Sequence, residues 1–450
     1  MKMNRTLASL LLAFLLFALT APLVALDRQP GADYRARRVA LSHMVGSGVV
    51  VLFGGVEEEG PNALYGYRQD NDFYYLSGWA EPGAALLIAP EVPATDDAPA
   101  RPYSEVLFLP AHNRTQERWT GPKLAAGDVK AAEVTGFDRV ASLDQMHEEI
   151  ASVVPARALV YTAVQPSPQT TPSSVPLQWL ARTNAFGFVH YEDVSGFVAE
   201  LRKHKDAGEI ERIRHATGAS IAAHRDAMKA MHPGLYEYQI AALMQYRHMD
   251  AGCEREAYSP IVGSGPNSTV LHYGANTRKI EDGDLVVMDV AGEYAMYASD
   301  ITRTLPANGH YTPRQREIYN IVLGAQQAAM KAVQPGTTVL TGRSPESLYK
   351  VAYDYINTHG KDLHGEPLGK YFTHGLSHHV GLDVHDASDA REPLKAGMVI
   401  TIEPGIYIPE ENIGVRIEDV VLVTATGSRV LSAALPVDPD EIERALAQKK

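Results

Sequence analysis

Residues 374–386 read HGLSHHVGLDVHD: four histidines, two aspartates and two glycines in thirteen positions. Imidazole ligates metals and carries protons near neutral pH, so such a density points to a site rather than a surface. A second set of chemistry-bearing residues lies in apolar runs. Asp289 stands in DLVVMDVAGEY (284–294), Asp300 in YASDITRTL (297–305), Glu403 in GMVITIEPGIYI (397–408) and Glu418 in VRIEDVVLVT (415–424). A carboxylate inside a buried strand is costly unless it is paired or binds a cation. One such acid reads as a structural hydrogen-bond acceptor. Four of them beside a histidine cluster call for a common explanation.

Four converging carboxylates repel, and without cations several would stay protonated. Two divalent ions balance the charge and leave a place for a bridging water. Oxygen-rich ligation with one imidazole favours Mn²⁺, Co²⁺ or Zn²⁺ over a thiolate-type site. A two-ion site clamps a hydroxide nucleophile and the developing oxyanion. The expected chemistry is therefore metal-assisted hydrolysis.

The elements that must position these groups are strands, in which side chains alternate faces. Asp289 shares a face with Leu285 and Val287. Asp300 follows after a Gly-containing turn region, so the two strands are expected to pair as a hairpin that unites the aspartates. Glu403 shares a face with Thr401 and Val399, ahead of a Pro-Gly break, and Glu418 shares one with Arg416. His378 and His385 have opposite parity, which requires a bend between them, and Gly381 is the natural place.

The rest of the chain narrows the class. With 450 residues, 45% of them apolar, there is room for a real core and about two or three domains. A formal charge of −13 without a basic stripe argues against nucleic acid. The single cysteine, Cys253, excludes an internal disulfide and reads as a small packed side chain. Ser264 lacks the G-x-S-x-G elbow of a serine hydrolase, and His147-Glu148 lacks the second histidine of H-E-x-x-H.

Residues 1–26 have a basic start at Lys2 and Arg5, an apolar run from Leu7 to Leu19, and small residues after it. That is the layout of a signal peptide, with a membrane anchor as the alternative. From Tyr34 to about Tyr191, short apolar runs at 48–55, 84–90 and 105–110 read as buried strands. The stretches 94–102 and 166–176 read as loops. A long helix is expected from near Asp206 to Met231, stopped by Pro233-Gly234, with a domain boundary near residue 200.

The runs MDVAGEY, SDITRT, HGLSHHVGLDVHD, ITIEPGIY and VRIED, in that order, closely resemble the catalytic half of the aminopeptidase P/prolidase group of metallopeptidases. The likeness extends to PIVGSGPNSTVLHYGAN (260–276) and to DNDFYYLSGWAEPGAALLIAP (70–90), so it spans essentially the whole chain after the export segment. It implies an α+β protein. A C-terminal pita-bread catalytic domain at 200–450, a curved antiparallel sheet flanked by helices, would follow a smaller N-terminal α/β domain at 27–199.

The resemblance also implies roles. Asp289, Asp300, His378, Glu403 and Glu418 match the metal ligands, with Asp300 and Glu418 of the bridging type. His272 and His385 match non-ligand histidines suited to stabilising a tetrahedral intermediate and shuttling a proton. Arg416 matches an arginine that orients the carboxylates, and Glu403 could also relay a proton to the leaving nitrogen. His374 is expected beside the ligands, and His379 as a packed or surface residue. Trp119 is either a core or loop aromatic, or a residue reaching a neighbouring subunit.

The implied activity is removal of an N-terminal residue from peptides with proline second. It would use two divalent ions, Mn²⁺ ahead of Co²⁺ or Zn²⁺, in an exported homo-oligomer (dimer or tetramer), periplasmic or secreted. The nearest rival is a prolidase limited to Xaa-Pro dipeptides, for which Arg391 or a residue of the N-terminal domain is a candidate carboxylate anchor. A non-catalytic binding relative is disfavoured by the complete ligand set.

Overall fold

A computed structural model describes residues 27–56, 66–89, 104–153, 159–163 and 190–448. The expected export segment and the loops at 94–102 and 166–176 lie outside the described residues.

The N-terminal part is built on a six-stranded sheet in the order Arg139–Ser142, Glu105–Leu109, Ala85–Ile88, Val49–Phe53, Leu159–Thr162 and His190–Asp193. The three apolar runs found in the sequence are its centre. They pair antiparallel, Val50 opposite Ile88 and Leu86 opposite Leu107, while the outer pairs are parallel. Val49–Leu52, Ala85–Ile88 and Glu105–Leu109 are buried on both faces, which is why they read as continuous apolar runs rather than alternating ones. Glu105 is tolerated there because Arg38 meets it with two nitrogens, at 2.6 and 2.8 Å.

Helix Ser195–Arg202 leads into the long helix Ala207–Ala230. Asp206 starts the latter with a capping box: its side chain accepts from the Glu209 N–H, and Glu209 accepts from the Asp206 N–H. Ile213, Ala216, Thr217, Ser220 and Ile221 are buried along it, as their helical spacing required. The helix ends where Pro233 denies it a further donor.

Beyond it, short antiparallel sheets carry the acidic motifs. One joins Ile261–Ser264, Leu285–Asp289 and Thr302–Pro306. Another joins Val399–Ile402, Asp419–Thr424 and Gly427–Val430. A third pairs Gly405–Ile408 with Ile413–Arg416. A bridge between Thr302 and Glu418 links the first group to the others. Helices Glu237–Asp250, Pro313–Ala332, Leu348–His359 and Pro439–Ala447 also belong to this half.

Two expectations are corrected. Three of the four acids lie just outside strands, and the fourth closes one. Asp289 is the last residue of its strand, Asp300 precedes Thr302–Pro306, Glu403 falls between Ile402 and Gly405, and Glu418 falls between Arg416 and Asp419. Strand ends are where a backbone can turn a carboxylate inward without losing ladder bonds. Likewise, 374–386 is not a bent strand. His379 bridges both Asp386 and Ile400, so the chain reverses between 379 and 386. Gly381 lies in that reversal, and a Cβ there would meet the Asp386 carboxylate at 2.1 Å, so close approach rather than a simple bend demands the glycine.

Candidate active site

The hairpin pairing expected of the first two motifs is present, with Asp289 opposite Thr302. Asp300 lies two residues beyond that register, and a small hairpin, Gly292–Tyr294 with Tyr297–Ala298, fills the connection. One hydroxyl unites the aspartates: Tyr258 Oη is 2.6 Å from Asp289 Oδ1 and 2.6 Å from Asp300 Oδ1.

The other ligand candidates close around this pair. His378 Nε2 stands 3.3 Å from Asp300 Oδ2 and 3.2 Å from Glu403 Oε1. Its Nδ1 is 3.0 Å from the His379 carbonyl. A carbonyl only accepts, so Nδ1 carries a proton and Nε2 is the nitrogen turned to the acids. Thr302 Oγ1 donates to Glu418 Oε2 at 2.7 Å, and the Glu418 N–H donates to the Thr302 carbonyl. Thr401 Oγ1 donates to Glu403 Oε1 at 3.1 Å. Single atoms of Asp300, His378 and Glu418 lie within 4.8 Å of one another, a spacing one ion can span.

Arg416 donates to Asp289 Oδ2 at 2.6 Å, to Tyr407 Oη at 2.9 Å and to Thr302 Oγ1 at 3.2 Å. Tyr407 also contacts His374 Nε2 at 2.9 Å, so His374 reaches the site through Tyr407.

The electrostatics fit a cation-binding centre. Burial, and then the charges of Asp300, Glu403 and Asp289, push Glu418 well above the ordinary carboxylate range. Burial raises Asp300 to about 6 although His378 opposes it. Burial disfavours charge on His378, but Asp300 and Glu403 overcome it and raise the imidazole well above its ordinary value. Buried acids that resist ionisation beside Arg416 and His378 are a set whose charged form an added cation would stabilise. Four carboxylates and one imidazole suit hard or borderline divalent ions.

These residues line a cleft of about 270 Å³ together with Tyr258, Ser259, Ile261, His272, Gly274, Val384 and His385. Every site residue expected from the sequence except Arg416 lines it directly, and Arg416 touches it through Asp289. The His378 and His385 rings meet edge to face, centroids 4.3 Å apart. Partial desolvation, then the nearby His378, lowers His385 below its ordinary value, which favours the neutral ring.

His379 is 2% exposed and belongs to the core rather than the cleft; burial and then Lys205 lower it to about 3. Trp119 is neither buried nor in a loop: it is 87% exposed on helix Arg114–Thr120. Arg391 is exposed and does not line the cleft. Sequence reasoning missed Tyr258, Thr302 and Tyr407. A tyrosine beside a Ser-Pro step carries no periodic signal. Thr302 and Tyr407 do lie within the acidic motifs, and their hydroxyls are what a crowded set of carboxylates needs.

The chain matches the family described as "Metallopeptidase family M24" over residues 211–425 and "Aminopeptidase P, N-terminal domain" over 34–161. It is 33% identical over 434 residues to the Xaa-Pro aminopeptidase of Escherichia coli, covering 91% of this chain and 96% of that protein. It is 32% identical to human Xaa-Pro aminopeptidase 3, covering 89% and 81%. Among solved structures, Pseudomonas aeruginosa aminopeptidase PepP superposes with a TM-score of 0.81 at 30% identity, covering 93% and 98%. E. coli aminopeptidase P with the inhibitor Pro-Leu gives 0.79 at 30%, covering 94% and 99%.

Proposed function

The chain belongs to metallopeptidase family M24, and from that premise we propose that it is an Xaa-Pro aminopeptidase that removes the N-terminal residue of peptides with proline in second position. The observation that carries the reading is the convergence of Asp289, Asp300, His378, Glu403 and Glu418 on one cleft, in a chain whose N-terminal part matches the aminopeptidase P domain. Those five residues would hold two divalent ions, Mn²⁺ ahead of Co²⁺ or Zn²⁺. When bound, the ions supply Lewis acidity and activate water at neutral pH.

The chain's own groups do the rest. Tyr258 fixes the Asp289 and Asp300 carboxylates relative to each other, and Arg416 holds the second oxygen of Asp289. His272 and His385 face the cleft and are placed to donate to a carbonyl oxygen as it gains charge. Glu403 touches His378 and Thr401 and is placed to pass a proton to the departing prolyl nitrogen. Val384 and Ile261 give the cleft an apolar wall suited to a prolyl ring, which has no amide N–H to satisfy.

The exposed position of Arg391 favours a cleft open to longer peptides over one that grips a dipeptide carboxylate. Export directed by residues 1–26, and assembly as a dimer or tetramer, complete the proposal. They rest on the basic start and apolar run of the sequence and on family resemblance. Among the described residues no helix is long and apolar enough to cross a membrane. Stripping with a chelator and reloading with Mn²⁺, Co²⁺ or Zn²⁺ tests the reading. Hydrolysis of an Xaa-Pro-Xaa peptide should vanish and return with the ion. Full activity in protein shown metal-free by elemental analysis would overturn it.

A further inference from the structure

Glu237 opens helix Glu237–Asp250 and is fully buried. An acid in a first helical turn ordinarily serves that helix's own N–H groups or its dipole. This one does something else. Its Oε1 accepts from the Ser264 N–H at 2.8 Å, from Ser264 Oγ at 2.7 Å and from Asn267 Nδ2 at 3.1 Å. Its Oε2 accepts from Tyr273 Oη at 2.9 Å and from the Arg278 N–H at 2.8 Å. None of the five donors belongs to its own helix. All come from residues 264–278, the loop that carries His272.

The geometry closes that loop at its base. Ser264 ends the strand Ile261–Ser264, and Arg278 lies where the chain pairs back onto the start of the helix, with Tyr236 bridged to Lys279. One carboxylate therefore holds both ends. It also holds Tyr273, the neighbour of His272. The far side of the loop is tied separately, through Ser268 Oγ to the Gly414 N–H at 2.9 Å. His272 itself is exposed and reaches the cleft, so its place relative to the acids depends on the loop rather than on packing of its own ring. A compact loop with closed ends can present a functional side chain rigidly only if its closure is strong, and bonds to a carboxylate are about twice as strong as neutral ones.

We propose that Glu237 is a positioning residue for the hydrolytic reaction, acting through His272. The inference rests on the reading of the cleft as a peptidase site. The test is a double-mutant cycle on the full-length, Mn²⁺-loaded protein with an Xaa-Pro-Xaa peptide. Glu237→Gln keeps the shape but replaces one acceptor oxygen with an amide NH2 that faces a backbone N–H donor, Ser264 or Arg278, whichever way the amide turns. It should lower kcat by roughly 10- to 100-fold, with metal content unchanged by elemental analysis and KM little altered. In a His272→Ala background the same substitution should cause no further loss, because coupled residues are non-additive. Tyr273→Phe removes a single donor, and its smaller loss should likewise vanish without His272; it serves if Glu237→Gln does not fold. Losses that multiply equally in both backgrounds, or an unchanged kcat, would overturn the role of Glu237. Wild-type protein in the same assay separates the two claims: absence of any wild-type hydrolysis overturns the reading of the cleft itself.

Discussion

Lys205 and Asp386 form an ion pair, Nζ to Oδ2 at 2.8 Å, in which each side chain is only 1% exposed. Arg202 takes the other oxygen of the same carboxylate and extends to Asp72 and Asp383, each at 2.7 Å. Asp72 lies in the N-terminal half, and Asp386 adjoins His385, so the segment presenting His385 is anchored where the two halves meet. Lys205→Met would leave one buried oxygen of Asp386 without its cation. The expected cost is about 3 kcal/mol in urea unfolding. An unchanged unfolding midpoint would show that the pair is not buried in solution.

The same carboxylate sets an acid limit. Burial alone would raise Asp386, yet Lys205 and Arg202 hold it down to about 2, against 3.8 for an unperturbed aspartate. A depressed folded-state value means stabilisation that is fully present above about pH 4 and lost as pH falls toward 2, worth about 2 kcal/mol. The stability gap between wild type and Asp386→Asn, followed by urea midpoints across that window, should shrink as the pH drops. A constant gap would contradict the assignment.

The three central histidines should separate cleanly. His378→Ala is expected to lose bound metal together with activity, because Nε2 faces Asp300 and Glu403. His385→Ala should retain metal and lose kcat, as expected of a transition-state partner. His379→Ala should keep both but destabilise the fold by about 2 kcal/mol through a core cavity, since the ring is buried. Elemental analysis with unfolding curves checks all three, and metal loss from His379→Ala alone would shift the ligand register by one.

Tyr258→Phe removes the hydroxyl shared by Asp289 and Asp300. Metal affinity or activity should fall about 10- to 100-fold, with little change in stability, because the ring remains. Competition with a metal indicator dye reads the affinity. Wild-type affinity and wild-type kcat together would deny Tyr258 a part in the site.

Much of the site was legible because its acids stand in apolar runs, where an unpaired carboxylate is costly. Asp289, Asp300, Glu403 and Glu418 were conspicuous for that reason, and the spacing of Ile213, Ala216 and Ile221 marked the long helix. What escaped was set by contacts distant in sequence. Tyr258 meets acids 31 and 42 positions away, and Glu237 reaches donors as far as 41 positions on. Neither leaves a local pattern. The reversal at 379–386 was misread as a bent strand, because alternation describes a strand well but says nothing about a chain folding back over a buried aspartate.

The most direct measurement is kcat/KM on matched peptides differing in one feature at a time: Xaa-Pro-Xaa, Xaa-Ala-Xaa and the Xaa-Pro dipeptide, each with Mn²⁺-loaded protein. The account predicts efficient cleavage of Xaa-Pro-Xaa at the first bond, at least as fast as of the dipeptide, and little cleavage when alanine replaces proline. Activity confined to the dipeptide, or indifferent to proline, would contradict it.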